Sequence, residues 1–459
     1  MRSHSLTSAM PLNSQIMPPI PTMKQPTTAP PCGTRRDFLK TAVAGLTAFG
    51  GLSLARGAHA SGSDTIKIGL IGCGSRGPGA AVNAMNVDPG VRLVAMTDVF
   101  GGRVRNRREL LKKQKPGQVA VDDAHCFSGL EGHKHVIHSA DVVLIACSGK
   151  FHPEYLLAAV EAGKHVFVEK PHAIDPVGVR KITAACELAG RKNLSVVSGL
   201  HSRFHPGYRE TIRRVHDGAI GEIVAIEENF LRGAIELHYR QPKQSEMEYQ
   251  FSNQYHFSWL TGGYVTQSLI HNLDRATWAM KEQAPVKAHG QGGRAASFGE
   301  VFGNVFDHHS VVYEYANGVR LYAFGRIQSG CYGNSSSVIL GSQGRCNLTR
   351  CAIDGKSRWR YDGPRGNPYD LEHKALFSAV RSGNPVNCVD YVARSTLIGV
   401  LGQLACYSGK ELTWDRVSQS DFIFTPKPEQ VRLDMEPPVK PDRQGNYRVP
   451  LPGITEYKI

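Results

Sequence analysis

The sequence predicts an α/β protein: a doubly wound parallel sheet first, then an α+β domain with a largely antiparallel sheet. Three observations predict it. Residues 66–71 form an apolar β-prone run that leads straight into Gly72-Cys73-Gly74-Ser75-Arg76-Gly77 and then into a helical pattern over 78–87. Strand and helix patterns alternate as far as residue 200, the rhythm of a doubly wound sheet. From Gly221 that rhythm gives way to alternating strands over 222–231, 309–315, 320–325 and 336–340, separated by Gly-rich and Asn-Gly turns.

The first strand and turn set the chemistry of the N-terminal half. Gly-x-Gly-x-x-Gly between a strand and a helix is the dinucleotide-binding arrangement of a Rossmann sheet. Gly72 allows the tight turn, Gly74 lets the backbone approach a pyrophosphate, and Gly77 allows close helix–strand packing. Ser75 and Arg76 sit where the helix N-terminus faces phosphates. The next strand, 91–97, ends at Asp98, twenty-one residues past Gly77, where an acidic side chain accepts the ribose hydroxyls of NAD. Arg103 and Arg105 follow, which keeps NADP as the second choice. The basic run over 103–115 reads as a solvated helix face. Residues 141–146 are a continuous apolar strand, as a sheet buried on both faces needs. The loop at its carboxyl end makes Cys147 and His152 candidate cofactor contacts, and a helix runs from Pro153 to the C-cap at Gly163.

The strand 165–168 is stopped by Glu169-Lys170-Pro171. Pro171 has no N–H for a ladder and biases Lys170 to extended backbone. Lys170 therefore stands at the carboxyl end of a buried strand, the edge at which open α/β sheets bind ligands. An amine there is a candidate acid/base group. A helix over 175–189 and a strand over 195–200 complete the first domain, and His201 and Arg203 just beyond it face the crevice.

The chain has 459 residues and a net charge of +14. That length predicts two domains. Residues 1–60 hold six Lys/Arg and one Asp, which leaves +9 for the rest, and the remaining basic residues lack an aromatic-interleaved patch. A nucleic-acid partner is not expected. Thr34-Arg35-Arg36-Asp37-Phe38-Leu39-Lys40, the weakly apolar run 41–54 and Ala58-His59-Ala60 read as a twin-arginine signal with a cleavage site. The run is too short and Gly-diluted for a membrane anchor. The expected product is exported to the periplasm or beyond, and the Pro-, Thr- and Ser-rich residues ahead of the signal are expected to be disordered. Nine of the ten cysteines lie beyond the signal, with no Cys-x-x-Cys pair, and no histidine cluster has trusted metal spacing, so no metal is expected. The expected organisation is a leader over 1–60, a nucleotide domain over 61–200, an α+β domain over 201–424 whose 386–408 helix packs back on the first, and an extended arm over 425–459.

The Gly72–Gly77 turn, Asp98, the strand–loop–helix over 141–162 and Glu169-Lys170-Pro171 together resemble the glucose-fructose oxidoreductase / inositol dehydrogenase (Gfo/Idh/MocA) family. The resemblance continues through Trp259-Leu260-Thr261-Gly262-Gly263 and Gln267-Ser268-Leu269-Ile270-His271-Asn272-Leu273-Asp274 to Asp370-Leu371-Glu372-His373 and Arg394-Ser395-Thr396-Leu397. It implies an NAD cofactor, contacts from Glu169 and Lys170, and hydride transfer at a secondary hydroxyl of a sugar, sugar derivative or cyclitol. It also implies that His271 is the general acid/base, that Lys170 contacts the reacting hydroxyl and the nicotinamide ribose, and that the C-terminal sheet makes homo-oligomer contacts.

One departure from the family matters. Many members carry an Asp four residues before the histidine, where this chain has Gln267, which can hydrogen-bond an imidazole but cannot stabilise its charge. Asp274, a turn further on, is the candidate substitute. Arg203, Tyr255, Trp259 and Gln267 are the further candidate substrate contacts. Two alternative functions stand beside the dehydrogenase: an NAD-dependent glycosidase working by transient oxidation and elimination, and a non-catalytic dinucleotide-binding protein.

Overall fold

The computed structural model describes residues 64–459; the leader and its twin-arginine pattern lie outside the described residues. The first sheet contains β1 (Ile66–Ile71), β2 (Val91–Asp98), β3 (Cys126–Ser128), β4 (Val142–Ile145), β5 (His165–Val168) and β6 (Val196–Ser198). All six are parallel, in the order β3-β2-β1-β4-β5-β6. The order reverses between β1 and β4, and there the flanking helices diverge and leave a crevice at the strands' carboxyl ends. Gly72, Cys147 and Glu169 are the residues that leave the sheet at this edge. Val142 to Ile145 are fully buried, as a centre strand covered on both faces must be.

The second sheet has nine strands in the order β14-β13-β12-β11-β7-β10-β9-β8-β15. These are β7 (Ile223–Arg232), β8 (Lys287–Gly293), β9 (His308–Glu314), β10 (Arg320–Ile327), β11 (Asn334–Gly341), β12 (Gly344–Asn347), β13 (Ala352–Asp354), β14 (Arg358–Arg360) and β15 (Leu412–Thr413). Every pairing is antiparallel except β7 with β10. β9 and β10 bury every second residue, so one face packs and the other does not. The helices Ile270–Ala279 and Val389–Ser408 lie on the buried face, and Val389–Ser408 also packs against Pro176–Arg191 of the first layer.

The C-terminal residues, expected as an extended arm, are largely irregular chain. They form a strap fastened to the core. Tyr447 is buried, and its hydroxyl donates to Glu246 at 2.5 Å. Gln250 Nε2 donates to the Val439 carbonyl at 2.7 Å, and Lys150 Nζ to that of Phe424 at 2.6 Å. The Pro- and charge-rich composition reads as solvated chain because a few spaced anchors carry the attachment.

Arg203, expected to face substrate, and Asp274, the candidate substitute beside His271, are joined in a buried ion pair at 2.7 Å behind the cleft wall. Ser395 Oγ donates to Asp274 at 2.8 Å, and the guanidinium lies over the rings of Tyr391 at 4.4 Å and Trp278 at 5.1 Å. This knot fastens Ile270–Ala279 to Val389–Ser408. Asp274→Ala removes one of the two carboxylates, with Glu282, that pair this buried guanidinium, and the expected loss is about 1–3 kcal/mol of unfolding free energy. Chemical denaturation measures it; an unchanged midpoint would contradict the assignment.

Candidate active site

The crevice at the switch point is shaped by backbone. Gly72 has φ of +97°, and a Cβ there would stand 2.6 Å from the Cys147 nitrogen. A Cβ on Gly77 would stand 1.9 Å from the Gly72 carbonyl oxygen, so only glycine lets the helix Arg76–Val87 sit this close to the turn. Space is open around Gly74, and the N-cap Ser75 places no side-chain bond on the helix's first N–H groups. These donors are left for a ligand's phosphates. Asp98 lines the crevice with Gly72, Gly74 and Cys147. Its carboxylate accepts from the Cys73 nitrogen at 2.8 Å and the Phe100 nitrogen at 3.1 Å, and pairs with Arg103 at 3.3 Å. The open Gly74 surface, the uncapped helix start and the acid at the end of β2 fit a dinucleotide.

A wider cleft of about 520 Å³ adjoins this crevice. Its walls bring together Ser75, Arg76, Cys147, Glu169 and Lys170 from the first layer with Tyr255, Gln267 and His271 from the second. Ser75 Oγ donates to Glu236 at 2.8 Å, joining the glycine turn to the segment after β7. Burial pushes the Tyr255 phenol up to about 12 and holds the Cys147 thiol well above its ordinary range, so neither ionises near neutrality.

Lys170 projects from the end of β5, and its Nζ donates to the backbone carbonyl of Gln267 at 2.8 Å. Burial lowers the amine to about 8 against the opposing pull of Glu169. Glu169 is itself tied to Arg76, whose Nε lies 2.5 Å from its carboxylate. Arg76 also reaches Glu372 at 3.3 Å and stacks 4.7 Å from the Tyr369 ring centroid.

His271 faces the cleft with a buried Nδ1 that has no hydrogen-bond partner. Its ring packs 4.7 Å from that of His201, which packs 4.4 Å from Tyr369. Burial first, then the nearby His201, Lys170 and Arg275, hold His271 far below the ordinary histidine value. Burial and Arg275 likewise push His201 down to about 3. Both rings are neutral at physiological pH.

Several expected roles are corrected by this geometry. Residues Val265–Leu269 form a π-helical turn. The wide turn changes the phase between positions 267 and 271, so the i,i+4 alignment of a regular helix is lost. The Gln267 side chain bonds Ser268 instead of the imidazole, and the residue's contribution to the cleft is its carbonyl. Asp274 is committed to Arg203 and Ser395 and cannot replace the missing Asp. Neither Arg203 nor Asp274 lines the cleft. Trp259 is core: it is buried, and its Nε1 donates to Gln250 at 2.7 Å. His152 does not reach the crevice surface; its ring nitrogens lie 2.8 Å from the Pro171 carbonyl and 3.1 Å from that of Cys147, tying the two crevice loops together. Gly77 acts by packing, as expected.

The cleft also contains residues that the sequence reading passed over: Arg232, Glu236, Asn272, Arg275 and Tyr369. Asn272 and Arg275 follow His271 on one helix, and the i,i+4 spacing of His271 and Arg275 is a signal that was available.

Arg76 neutralises two carboxylates, and that fixes a pH dependence. Glu372 is buried and its carboxyl is held well above the usual range, first by burial and then by Glu169. A raised folded value contributes stability at low pH that is lost as pH rises through it. Arg76→Ala removes the counter-ion from both acids. The expected drop in thermal midpoint is larger at high pH, where Glu372 has lost its proton, than at low pH, where it keeps it. An equal drop at both would contradict the assigned role.

Comparison with known proteins agrees with the fold. Residues 66–198 match the Gfo/Idh/MocA description, an oxidoreductase family with an NAD-binding Rossmann fold. The chain is 29% identical over 220 residues to an inositol 2-dehydrogenase of Paracoccus denitrificans, covering 48% of this chain and 55% of that protein. It is 30% identical over 167 residues to a glycosyl hydrolase family 109 protein of Porphyromonas gingivalis, covering 36% and 34%. The chain thus spans about half the length, or less, of these curated relatives. A crystal structure of scyllo-inositol dehydrogenase from Lactobacillus casei with bound NAD(H) and scyllo-inositol superposes with a TM-score of 0.57 at 17% identity, over 76% of this chain and 99% of that one.

Proposed function

We propose that the protein is an NAD(H)-dependent oxidoreductase acting on a secondary hydroxyl of a sugar, sugar derivative or cyclitol. The observation that carries this reading is Lys170: an amine lowered to about 8 at the carboxyl end of β5, between the nucleotide crevice and the wall that bears His271. The inositol dehydrogenases among its relatives support the substrate class. The export pattern of the leader supports a protein that folds around its cofactor before leaving the cytoplasm.

Bound NAD supplies the hydride acceptor. The proton is handled by the chain. With its folded value near 8, Lys170 is uncharged in a useful fraction of molecules at neutral pH, and its bond to the Gln267 carbonyl orients it. The substrate hydroxyl gives its proton to Lys170 Nζ. His271, held neutral, donates its ring N–H to the oxygen of the same hydroxyl and positions it. The Arg76–Glu169 pair keeps a free carboxylate charge from Lys170 and from the phosphates.

A second reading has one observation behind it, the family 109 relative. In it the same oxidation is transient: a glycoside is oxidised, loses its leaving group by elimination, takes up water and is reduced again by the same cofactor. Release of nitrophenol from a nitrophenyl glycoside without net NADH formation would establish it; NADH accumulation with free sugars or cyclitols establishes the dehydrogenase.

The pH profile tests the base. Lys170 takes a proton only when uncharged, so the rate of NAD reduction is expected to rise through about pH 8. Lys170→Met is expected to lower kcat by about 10²–10⁴-fold and to abolish that limb. A limb near the ordinary histidine value of about 6.5, retained in Lys170→Met and lost in His271→Gln, would move the base to His271.

A further inference from the structure

Arg275 lies one turn beyond His271 on the helix Ile270–Ala279, and both residues line the cleft. It is only 6% exposed. Its Nε and Nη2 have no hydrogen-bond partner. The carboxylate that faces it, Glu228, stands 3.6 Å from Nη2, beyond hydrogen-bond length. Glu228 is occupied elsewhere: it accepts from Ser337 Oγ at 2.5 Å and from Asn272 Nδ2 at 2.8 Å. Burial also pushes its carboxyl up to about 7, so it is only partly charged near neutrality. A guanidinium is always charged and presents five donors in a fixed fork. Burying it with donors unmatched is costly unless a ligand supplies the acceptor.

The rest of the cleft does not balance this charge. Arg76, Lys170, Arg232 and Arg275 line it against Glu169 and Glu236. Glu169 is spent on Arg76, and Glu236 takes the Ser75 hydroxyl. The two histidines add no negative charge.

We infer that the substrate is an acidic sugar or cyclitol derivative, of the uronate or aldonate type, whose carboxylate is held by Arg275 beside Asn272. One guanidinium matches the single charge and planar geometry of a carboxylate, and the two pair through parallel charge-assisted hydrogen bonds. This inference rests on the oxidoreductase reading for the sugar scaffold, and on the cleft alone for the charge.

Isothermal titration calorimetry on the full chain saturated with NAD tests it. The probes are D-glucuronate and D-galacturonate, their neutral parents D-glucose and D-galactose, and D-glucose 6-phosphate. At least one uronate is expected to bind about ten-fold or more tighter than its parent, a factor of the size one charge-assisted contact gives. Arg275→Met in a Glu228→Gln background, which leaves no unpaired buried carboxylate to unfold the protein, is expected to erase the gap; Arg275→Lys is expected to retain part of it. Uronates that bind no tighter than their parents, a gap that survives loss of Arg275, or tighter binding of the phosphate would each overturn the proposal. NADH formation from the same probes is read separately: a retained calorimetric gap without turnover counts against the oxidoreductase reading and leaves the carboxylate site standing.

Discussion

The hydrogen bond from Lys170 Nζ to the Gln267 carbonyl is the constraint on which the site depends. It joins the end of a parallel strand in one layer to a π-helical turn in the other, across 97 residues of sequence. A lysine side chain gives up solvation and rotamer freedom to sit there, so the contact is held by its surroundings. Those surroundings also lower its charge affinity: burial outweighs the attraction of Glu169, because Glu169 is already shared with Arg76. The result is an amine near 8 beside a neutral histidine, a pair able to take a proton at physiological pH without storing a second positive charge.

Arg76 extends the same logic. It leaves the glycine turn that receives phosphates and reaches Glu169, Glu372 and the face of Tyr369. The nucleotide turn, the lysine strand and the helix Pro368–Ser382 therefore share one electrostatic unit. The Arg203–Asp274 knot does the corresponding work behind the histidine, where it fixes the helix that carries His271 and Arg275. The site is built from two such units facing each other, one organised around a cation over phosphates and one around a cation behind a helix.

Much of this was legible in the chain. The glycine turn, Asp98 and Glu169-Lys170-Pro171 each rest on local rules, a positive φ, a strand end and a proline, and those rules act within a few residues. β9 and β10 were legible because strict alternation survives over seven or eight residues. The short strands β3, β13 and β14 are three residues each and carry no period to read. The errors at the site have two causes. Gln267 was placed beside His271 by regular helical spacing, and the π-turn at Val265–Leu269 breaks that spacing between 267 and 271. Asp274 keeps its helical spacing from His271 but is taken by Arg203, 71 residues away in sequence, a pairing that no local pattern reveals. Trp259 fails for the same reason, and the anchors of the C-terminal strap were illegible for it too: Gln250 and Glu246 meet them only in the folded chain.

The central claim is that this fold delivers an amine of lowered pKa to the junction of the nucleotide crevice and the cleft. Carbon-13 NMR titration of lysine-labelled protein, with the Lys170 resonance assigned by its loss in Lys170→Arg, measures it directly. The account predicts a titration near pH 8, below the ordinary 10.5, that moves when NAD is added. A resonance that titrates at the ordinary value, unmoved by NAD, would contradict it.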